Sequence, residues 1–319
     1  MHRSGFFLTI LLATVLLVAC TAGGQTLSSL PSPTSLPPTP QSIRLRDGLG
    51  TEIELSGAAQ RIVSLAPSNT EILFALGAGN QLVGRDSFSD YPSEALQIQD
   101  VGGGFGNLDV EPIIALQPDL ILASPLTAAE QVQGLRDLGL TVFVLPNPLQ
   151  FDDLYTNLMT VASLTGRIQE AETLIVQLKQ RVQSVDEKLS GIARRPLVFY
   201  EIDGTDPNAP WTAGPNTFID MLITRAGGLN FGHDLQGDWV QVSLEEILRR
   251  DPELILLGDA IWGGVTVEAV MARPGWGELS AVKNQRVYPF DDNIVSRPGP
   301  RLVDGLEALA KLFHPDRFQ

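Results

Sequence analysis

The stretches EPIIALQPDLIL at residues 111–122 and EEILRRDPELIL at residues 245–256 repeat one pattern. Equivalent residues, among them Glu111 and Glu245, all lie 134 positions apart. In each copy an acidic residue opens a short amphipathic segment, a Pro then blocks the helix, and an aliphatic run suited to a buried parallel strand follows. The pattern predicts a helix followed by a strand, either as an ordinary α/β recurrence or, more specifically, as part of a duplicated lobe.

The sequence around the two copies predicts further strands and helices in alternation. RIVSLAP at residues 61–67 has the character of a strand that ends in a turn, and PLVFYEI at 196–202 opens the second half in the same way. In the helix predicted after the first strand, Ser68 and Glu71 have the spacing of a capping box. This alternation predicts two mostly parallel sheets covered by helices.

Between the two halves lies one long amphipathic segment without an internal Gly or Pro. A helix of about 22 residues would span roughly 33 Å. The predicted organisation is an N-terminal lobe at 43–165, a linking helix at 166–192 and a C-terminal lobe at 193–319, with a ligand cleft between the lobes. The apolar residues that recur at helical spacing are Ile168, Ala171, Leu174, Ile175, Leu178, Val182, Val185 and Leu189.

Composition is that of a folded, water-exposed protein. The 319 residues are 44% hydrophobic and 18% charged, and the chain is long enough for two separate cores. A balance of 22 Lys and Arg against 37 Asp and Glu gives a net charge of −15, which repels nucleic-acid phosphates. Nucleic acid is therefore not an expected partner.

The N-terminus has the features of an export signal. A short basic opening precedes an apolar run at residues 6–18, which is shorter than the roughly 20 residues of a membrane span. We predict a signal peptide at 1–19. The segment LVAC resembles the bacterial lipoprotein lipobox, and this resemblance implies that Cys20 carries lipid after cleavage. The alternative is an ordinary thiol, and a single Cys excludes an internal disulfide.

Residues 20–42 are rich in Ser, Thr and Pro and contain too few apolar side chains to fold. Such a segment predicts a tether that would reach up to about 60 Å from its anchor. We expect the protein to be extracytoplasmic and lipid-anchored, in a periplasm or on the outer face of a cell membrane.

Six segments between Arg61 and the C-terminus carry a family resemblance. They are, in order, RIVSLAPSNTEILFALG, SFSDYP, DVEPIIALQPDLIL, PWTAG, GDWVQVSLEEILRRDPELIL and SRPGPRLVDGL. Together they resemble the solute-binding proteins of ABC importers for iron–siderophore complexes and cobalamin, and the cobalamin-binding members most of all. The resemblance implies two Rossmann-like lobes joined by a single backbone helix, and no enzymatic activity.

The same resemblance implies a role for the repeated acids. In that family one acidic residue on each lobe docks on arginines of the permease dimer, which works with an ATPase, and these positions match Glu111 and Glu245. Acids near a helix N-terminus also complement the helix dipole. Asp109 and Glu246 remain alternative positions, because the insertion NLDVE blurs the first assignment.

Four aromatic residues match positions that line the pocket of cobalamin-binding members: Phe88, Phe105, Trp211 and Trp239. Each alone could belong to a core. All four stand among Gly, Pro, Ser and Asp, however, and such loops commonly carry binding sites. Aromatic faces can cover a corrin or porphyrin plane.

The ligand is expected to be a metal complex that is already chelated. After the signal peptide the chain has only His233 and His314 and no second Cys, too few ligands for a bare transition metal. We therefore expect no metal site and no resident cofactor. His233 lies in FGHDLQGDW, where surface placement competes with a role as a metal ligand.

Cobalamin or a related corrinoid is the preferred ligand, with a ferric siderophore and haem as alternatives. Anionic siderophores would favour a cluster of arginines, and the candidates are few: Arg85, Arg301 and Arg297, of which Arg297 is assigned to ligand binding. Haem would use a tyrosine as axial ligand. The tyrosines considered are Tyr155, Tyr200, Tyr288 and Tyr91, the last interpreted as structural.

An exported hydrolase is a remote alternative. The chain has no GxSxG or HExxH motif and no Cys besides Cys20. Glu111 and Glu245 would have to lie within about 10 Å of each other to act as a glycosidase pair, and equivalent positions on two lobes are expected to lie farther apart.

Overall fold

A computed structural model of the chain describes residues 42–103 and 108–319. The predicted signal peptide, Cys20, nearly all of the predicted tether, and Phe105 lie outside the described residues. No helix in the described ranges combines the length and the apolar character needed to cross a membrane.

The described residues form short strands and helices in frequent alternation. The strands are β1 (Ile43–Arg46), β2 (Glu52–Leu55), β3 (Ile62–Ser64), β4 (Leu82–Arg85), β5 (Gln99–Asp100), β6 (Leu120–Ala123), β7 (Val142–Val144), β8 (Leu197–Glu201), β9 (Trp211–Ala213), β10 (Leu229–Asn230), β11 (Trp239–Gln241), β12 (Leu254–Leu257) and β13 (Val287–Pro289). The helices are α1 (Pro67–Ala75), α2 (Val110–Ala115), α3 (Ala129–Asp137), α4 (Phe151–Thr165), α5 (Ile168–Lys188), α6 (Phe218–Arg225), α7 (Leu244–Arg250), α8 (Val267–Met271), α9 (Ser280–Lys283) and α10 (Leu302–Phe313).

Two parallel sheets form the two lobes. The N-terminal sheet has the order β5-β4-β3-β6-β7 and the C-terminal sheet the order β10-β8-β12-β13. The run β4-β3-β6-β7 corresponds strand by strand to the whole C-terminal sheet, so one topology occurs twice and β5 is an addition to the first lobe. The antiparallel pairs β1-β2 and β9-β11 stand apart from both sheets.

The repeated stretches adopt the same local structure. In each copy a short helix precedes a buried strand, α2 before β6 and α7 before β12, as predicted. Ile113 and Ile247, which are equivalent, are both fully buried. Gln117 and Asp251, also equivalent, both have a φ of +49°, a left-handed backbone that a non-glycine residue adopts rarely. Each turns the chain from the helix into the Pro before the strand.

The linking helix α5 has 21 residues, about 31 Å at 1.5 Å per residue, and it packs against α4 of the first lobe and α10 of the second. Leu178 and Val182 are buried on its apolar face. On the same helix Arg181 binds Asp304 and Glu307 of α10, at 2.6 and 2.7 Å. The predicted α/β fold of two lobes joined by one long helix is confirmed.

One apolar core runs through both lobes. It joins Ile62 of β3 and Val198 of β8 through side chains of α1, α4, α5, α6 and α10. The outer faces of the sheets have separate cores, formed with α2 and α3 in the first lobe and with α7 and α8 in the second. The helices that carry the repeated acids in their first turns therefore belong to the outer layers of different lobes.

The predicted capping box at the start of α1 is wrong. The helix begins at Pro67, its N-cap is Ala66, and the N-cap makes no side-chain hydrogen bond. Pro suits the first position of a helix because its φ is fixed and its missing N–H is not needed there. Ser68 lies within the first turn, and the carboxylate of Glu71 accepts hydrogen bonds from Arg297 and Arg301 instead.

Candidate functional site at the lobe junction

The loops at the carboxyl ends of the parallel strands meet where the two lobes join. The loop after β4 contains Asp90 and Tyr91, and the chain after β13 contains Arg297 and then Arg301. Arg297 Nη1 donates to Asp90 Oδ1 at 2.6 Å, and the Arg301 guanidinium lies 3.9 Å from the centroid of the Tyr91 ring. Ligands of parallel α/β proteins bind at this end of the strands, so this edge of both lobes is the candidate binding site.

Large apolar side chains are exposed along this edge in both lobes. Exposed apolar side chains at such a strand-end edge are candidates for ligand contact, because their hydration is unfavourable until a ligand covers them. In the first lobe such residues follow β4, β6 and β7, and in the second they lie on or after β9, β11 and β12. They are Phe88, Leu126, Leu149, Trp211, Trp239, Ile261 and Trp262.

The two predicted tryptophans come together on one small sheet. The β9–β11 register pairs Trp239 with Ala213 and Gln241 with Trp211, which places both indoles on the same face. They are 38% and 44% exposed. On the opposite face Thr212 is buried and its Oγ1 donates to the Tyr200 carbonyl at 2.8 Å, so this two-stranded sheet is fixed to β8.

Phe88, the predicted residue of the first lobe, is half exposed in the loop after β4. Its backbone N–H donates to Asp86 Oδ1 at 2.9 Å, and Ser89 Oγ donates to the other oxygen of the same carboxylate. Asp86 is fully buried. The loop that carries Phe88 is thus organised around a buried carboxylate. The ligand-binding roles of Phe88, Trp211 and Trp239 stay predictions.

A buried ion-pair cluster holds the lobes together. Glu71 of α1, whose side chain is 2% exposed, accepts from Arg301 Nε at 2.9 Å, from Arg301 Nη2 at 2.5 Å and from Arg297 Nη1 at 3.3 Å. Such two-point guanidinium–carboxylate contacts fix direction as well as distance. We call Glu71, Asp90, Arg297 and Arg301 the inter-lobe cluster. Arg297 therefore lies at the site with its charge already paired, and its predicted role in ligand binding stays a prediction.

The third candidate arginine, Arg85, is also engaged. It is buried, it donates to the carbonyls of Ala95 and Asp86 at 3.0 and 2.8 Å, and it lies 3.6 Å from Asp100. Its contacts are all within the first lobe. Arg85 stabilises the turn after β4 and offers no free guanidinium to an anion.

The tyrosines differ sharply in availability as haem ligands. Tyr200 is fully buried and donates to Asp292 at 2.7 Å, and burial raises its pKa well above the ordinary value. Burial also raises the pKa of Tyr155 to about 12. Tyr288 is partly buried on β13. Tyr91 is half exposed at the lobe junction, but its ring is covered on one side by Arg301.

The two histidines lie in unrelated places. His233 is exposed, and its Nδ1 lies 3.0 Å from Asp220 Oδ1. His314 is buried at the end of α10, with Nε2 3.1 Å from the Gly227 carbonyl oxygen. Across residues 42–103 and 108–319, no group of three or more His, Cys, Asp or Glu side chains could hold a metal ion.

The repeated acids occupy the same position on equivalent helices. Glu111 is the second residue of α2 and Glu245 the second residue of α7, and both are exposed. In the part of the chain that the structure describes, neither carboxylate has a hydrogen-bond or ion-pair partner. They lie on the outer layers of different lobes, an arrangement suited to contacts with a partner and not to catalysis across one substrate.

The alternative acids are occupied within the protein. Asp109 caps α2, because its Oδ1 accepts from the Glu111 backbone N–H at 3.1 Å. Glu246 accepts hydrogen bonds from Arg249 and Arg250, which lower its pKa to about 2. The geometry therefore favours Glu111 and Glu245 over these neighbours as free surface carboxylates.

Sequence reasoning missed a pair of buried acids, one at the end of β8 and one after β12. Glu201 binds Arg273 through both oxygens at 2.6 and 2.9 Å, while Asp259 Oδ2 accepts from the Gly204 N–H at 2.8 Å and Asp259 Oδ1 has no partner. Burial raises the pKa of both carboxyls, and the nearby Asp259 raises that of Glu201 further. The available signal was the position of both acids at strand ends, in YEIDG and LLGDA.

Comparison with known proteins identifies the family. The model of the periplasmic binding protein family matches residues 62–294. The chain belongs to this family. Its members and structural neighbours are solute-binding proteins, so the protein binds a solute and does not transform it.

Three similar proteins illustrate which solute-binding proteins this periplasmic binding protein resembles. An uncharacterized ABC transporter substrate-binding lipoprotein of Bacillus subtilis is 33% identical over 323 residues, 99% of each chain. A cobalamin-binding protein of Halobacterium salinarum is 30% identical over 279 residues, 84% of this chain and 73% of its own. The solved periplasmic haem-binding protein of Roseiflexus is 28% identical with a TM-score of 0.72, over 82% of this chain and 100% of its own.

We predict that Glu71→Ala destabilises the protein by about 3–5 kcal/mol, because it removes the carboxylate that binds the largely buried Arg301 guanidinium and leaves Arg297 with Asp90 alone. Urea unfolding followed by circular dichroism measures the loss. The control is Glu54→Ala, which removes the exposed pair with Arg44 at 3.0 Å and should cost less than about 1 kcal/mol. Equal losses in the two variants would contradict the structural role of the inter-lobe cluster.

We predict that Asp259→Asn stabilises the protein relative to the wild type increasingly as pH rises. A carboxyl with a raised folded-state pKa favours folding below its unfolded pKa of about 4 and loses that contribution as pH rises through the folded value. An amide keeps the acceptor for Gly204 and carries no charge. Thermal unfolding at several pH values between about 4 and 8 measures the difference, with the exposed Glu130→Gln as control. A difference that does not grow with pH refutes the assignment.

Proposed function

We propose that the protein is the substrate-binding component of an ABC importer and that it captures cobalamin or a related corrinoid for delivery to the permease. The observation that carries this proposal is the pair of exposed indoles, Trp211 and Trp239, on one face at the strand ends of the second lobe. Two such surfaces can cover a wide, flat, largely apolar ligand. The names of the lipoprotein and cobalamin-binding relatives agree with it.

Charge at the site supports a ligand without strong negative charge. Exposed or half-exposed acids occupy the loops after β4, β8, β10 and β13, and the arginines of these loops are paired within the described residues. An anionic chelate would meet repulsion there and would have to break an existing ion pair. The acids are Asp90, Asp203, Asp206, Asp238 and Asp291. A ferric siderophore or haem remains the alternative ligand.

Docking on the permease is assigned to Glu111 and Glu245. They are equivalent by the repeat, exposed, and free of partners among the described residues. Two equivalent carboxylates on two lobes suit two equivalent arginine clusters on a permease dimer. The lipoprotein relative and the segment LVAC support an extracytoplasmic protein that is held at a membrane through lipid on Cys20.

Calorimetric titration with cyanocobalamin, haem, a ferric trihydroxamate and a ferric tricatecholate tests the ligand. We expect cyanocobalamin to bind most tightly, and the double variant Trp211→Ala, Trp239→Ala to bind it about tenfold more weakly or worse, because the aromatic surface is lost. The control is Leu229→Ala, which removes a half-exposed apolar side chain at the start of β10, at the opposite end of the strand from the candidate site. Tighter binding of another chelate, or an unchanged affinity in the double variant, would reject the corrinoid assignment.

We predict that the double variant Glu111→Ala, Glu245→Ala abolishes uptake of labelled cobalamin by cells that lack the native protein, while calorimetric affinity for the ligand is unchanged. The matched control is Glu130→Ala, Glu268→Ala. These acids are also exposed second residues of outer-layer helices, one in each lobe, and their loss changes the net charge equally. Normal uptake in the first double variant, or equal loss in both, would refute docking through the repeated acids.

A further inference from the structure

The loop after β12 presents two large apolar side chains to solvent. Residues 257–264 read LGDAIWGG, and Ile261 and Trp262 form its tip. Trp262 is 59% exposed, more than any other tryptophan in the described residues. Sequence reasoning did not select it, because a single Trp among glycines carries no periodicity and belongs to none of the matched motifs.

The tip is held in place by hydrogen bonds. Gly263 N–H donates to the Asp259 carbonyl at 2.8 Å, which closes the turn that carries Ile261 and Trp262. Gly258 N–H donates to the Glu201 carbonyl at 2.8 Å, so the start of the loop is fixed to β8. A Cβ on Gly263 would lie 2.9 Å from the Asp259 carbonyl oxygen, so the turn needs glycine there. The exposure of Trp262 therefore belongs to a defined turn.

The same loop is anchored beside Trp211. Asp259 Oδ2 accepts from the Gly204 N–H at 2.8 Å, and Asp259 is almost fully buried. Gly204 follows Asp203, whose backbone carbonyl accepts from the Trp211 N–H at 2.9 Å. The β8 and β12 strands that lead into these loops are direct neighbours. Two hydrogen bonds thus connect the turn of Trp262 to the strand of Trp211, on the candidate binding edge.

We propose that Trp262, with Ile261 beside it, is a third wall of the ligand site and contacts the face of a flat macrocyclic metal chelate. The inference rests on the proposed function and deepens it. Trp239 and Trp211 share one face of the β9–β11 pair, which is hydrogen-bonded to β8, and Trp262 lies in the loop that follows β12, the neighbour of β8. Three indoles along one edge match an extended conjugated ring better than a compact ferric chelate, because stacking gains grow with the flat area covered.

The nearest polar groups fit this use of the tip. Asp259, which anchors it, is 1% exposed, and Glu201 is fully buried and paired with Arg273, so burial keeps both carboxyl groups from direct contact with a ligand. Residues 260–265 carry no charged side chain. An uncharged, apolar tip favours an apolar ring face and adds nothing to the binding of ionic side groups.

Titration of Trp262→Ala and Trp262→Phe with cyanocobalamin and with haem tests the inference. We expect Trp262→Ala to raise the Kd about tenfold for whichever macrocycle the wild type binds, and Trp262→Phe to restore most of the affinity, since it keeps an aromatic face. Leu229→Ala is the control for loss of an exposed apolar side chain elsewhere. Thermal unfolding should be unchanged in both Trp262 variants, because the side chain has few contacts to lose.

The outcomes separate this inference from the proposed function. Wild-type binding of haem in place of cyanocobalamin would reject the corrinoid assignment and leave the Trp262 test intact with haem. An unchanged Kd in Trp262→Ala would overturn the third wall and leave the proposed function standing. Unchanged affinity with reduced cellular uptake would also overturn it and would assign the tip to permease contact. Wild-type binding of compact ferric chelates alone would overturn both.

Discussion

Burial of one apolar stripe of α5 against two lobes at once is the constraint on which the whole arrangement depends. Leu178 and Val182 enter a core that already contains Ile62 and Val198, one from each central strand region. Because that core is continuous, separation of the lobes would expose apolar surface to water in both halves. A continuous helix also bends only where its hydrogen-bond ladder is interrupted. The lobes therefore keep one another in register, and the strand ends that carry the candidate site keep their mutual positions.

The inter-lobe cluster adds direction to this hydrophobic contact. Glu71 is nearly inaccessible and is gripped by two arginines that arrive from the other lobe. The free energy of apolar burial changes little when one lobe rotates slightly against the other, whereas a bidentate guanidinium–carboxylate contact depends on direction. A cleft ligand that engages Arg297 must compete with Glu71 and Asp90. The inter-lobe cluster thus links two properties of the molecule, the fit between the lobes and the charge available to a ligand.

Much of this organisation could be predicted from local pattern. The repeat, the Pro that separates helix from strand, the uninterrupted amphipathic segment and the loop aromatics all lie within short windows, and the two-lobe fold and the family follow from them. The errors and omissions concern partners far apart in sequence. Ser68 and Glu71 satisfy the spacing of a capping box, yet Glu71 pairs with a residue 230 positions away. Likewise, no short stretch of sequence contains both Asp259 and Gly204. Their hydrogen bond connects the turn of Trp262 to the strand of Trp211, so the sequence alone did not indicate Trp262.

Gln117 and Asp251 show what remains fixed when one folding unit occurs twice in a chain. Both residues adopt the same left-handed turn although neither is glycine, so this backbone bend is a feature that the two halves share. Their side chains have different roles. Asp251 accepts hydrogen bonds from the Ser280 hydroxyl and backbone N–H at the start of α9, an element without a counterpart after Gln117. The two halves therefore share the backbone conformation of this turn and differ in the side-chain contacts made from it.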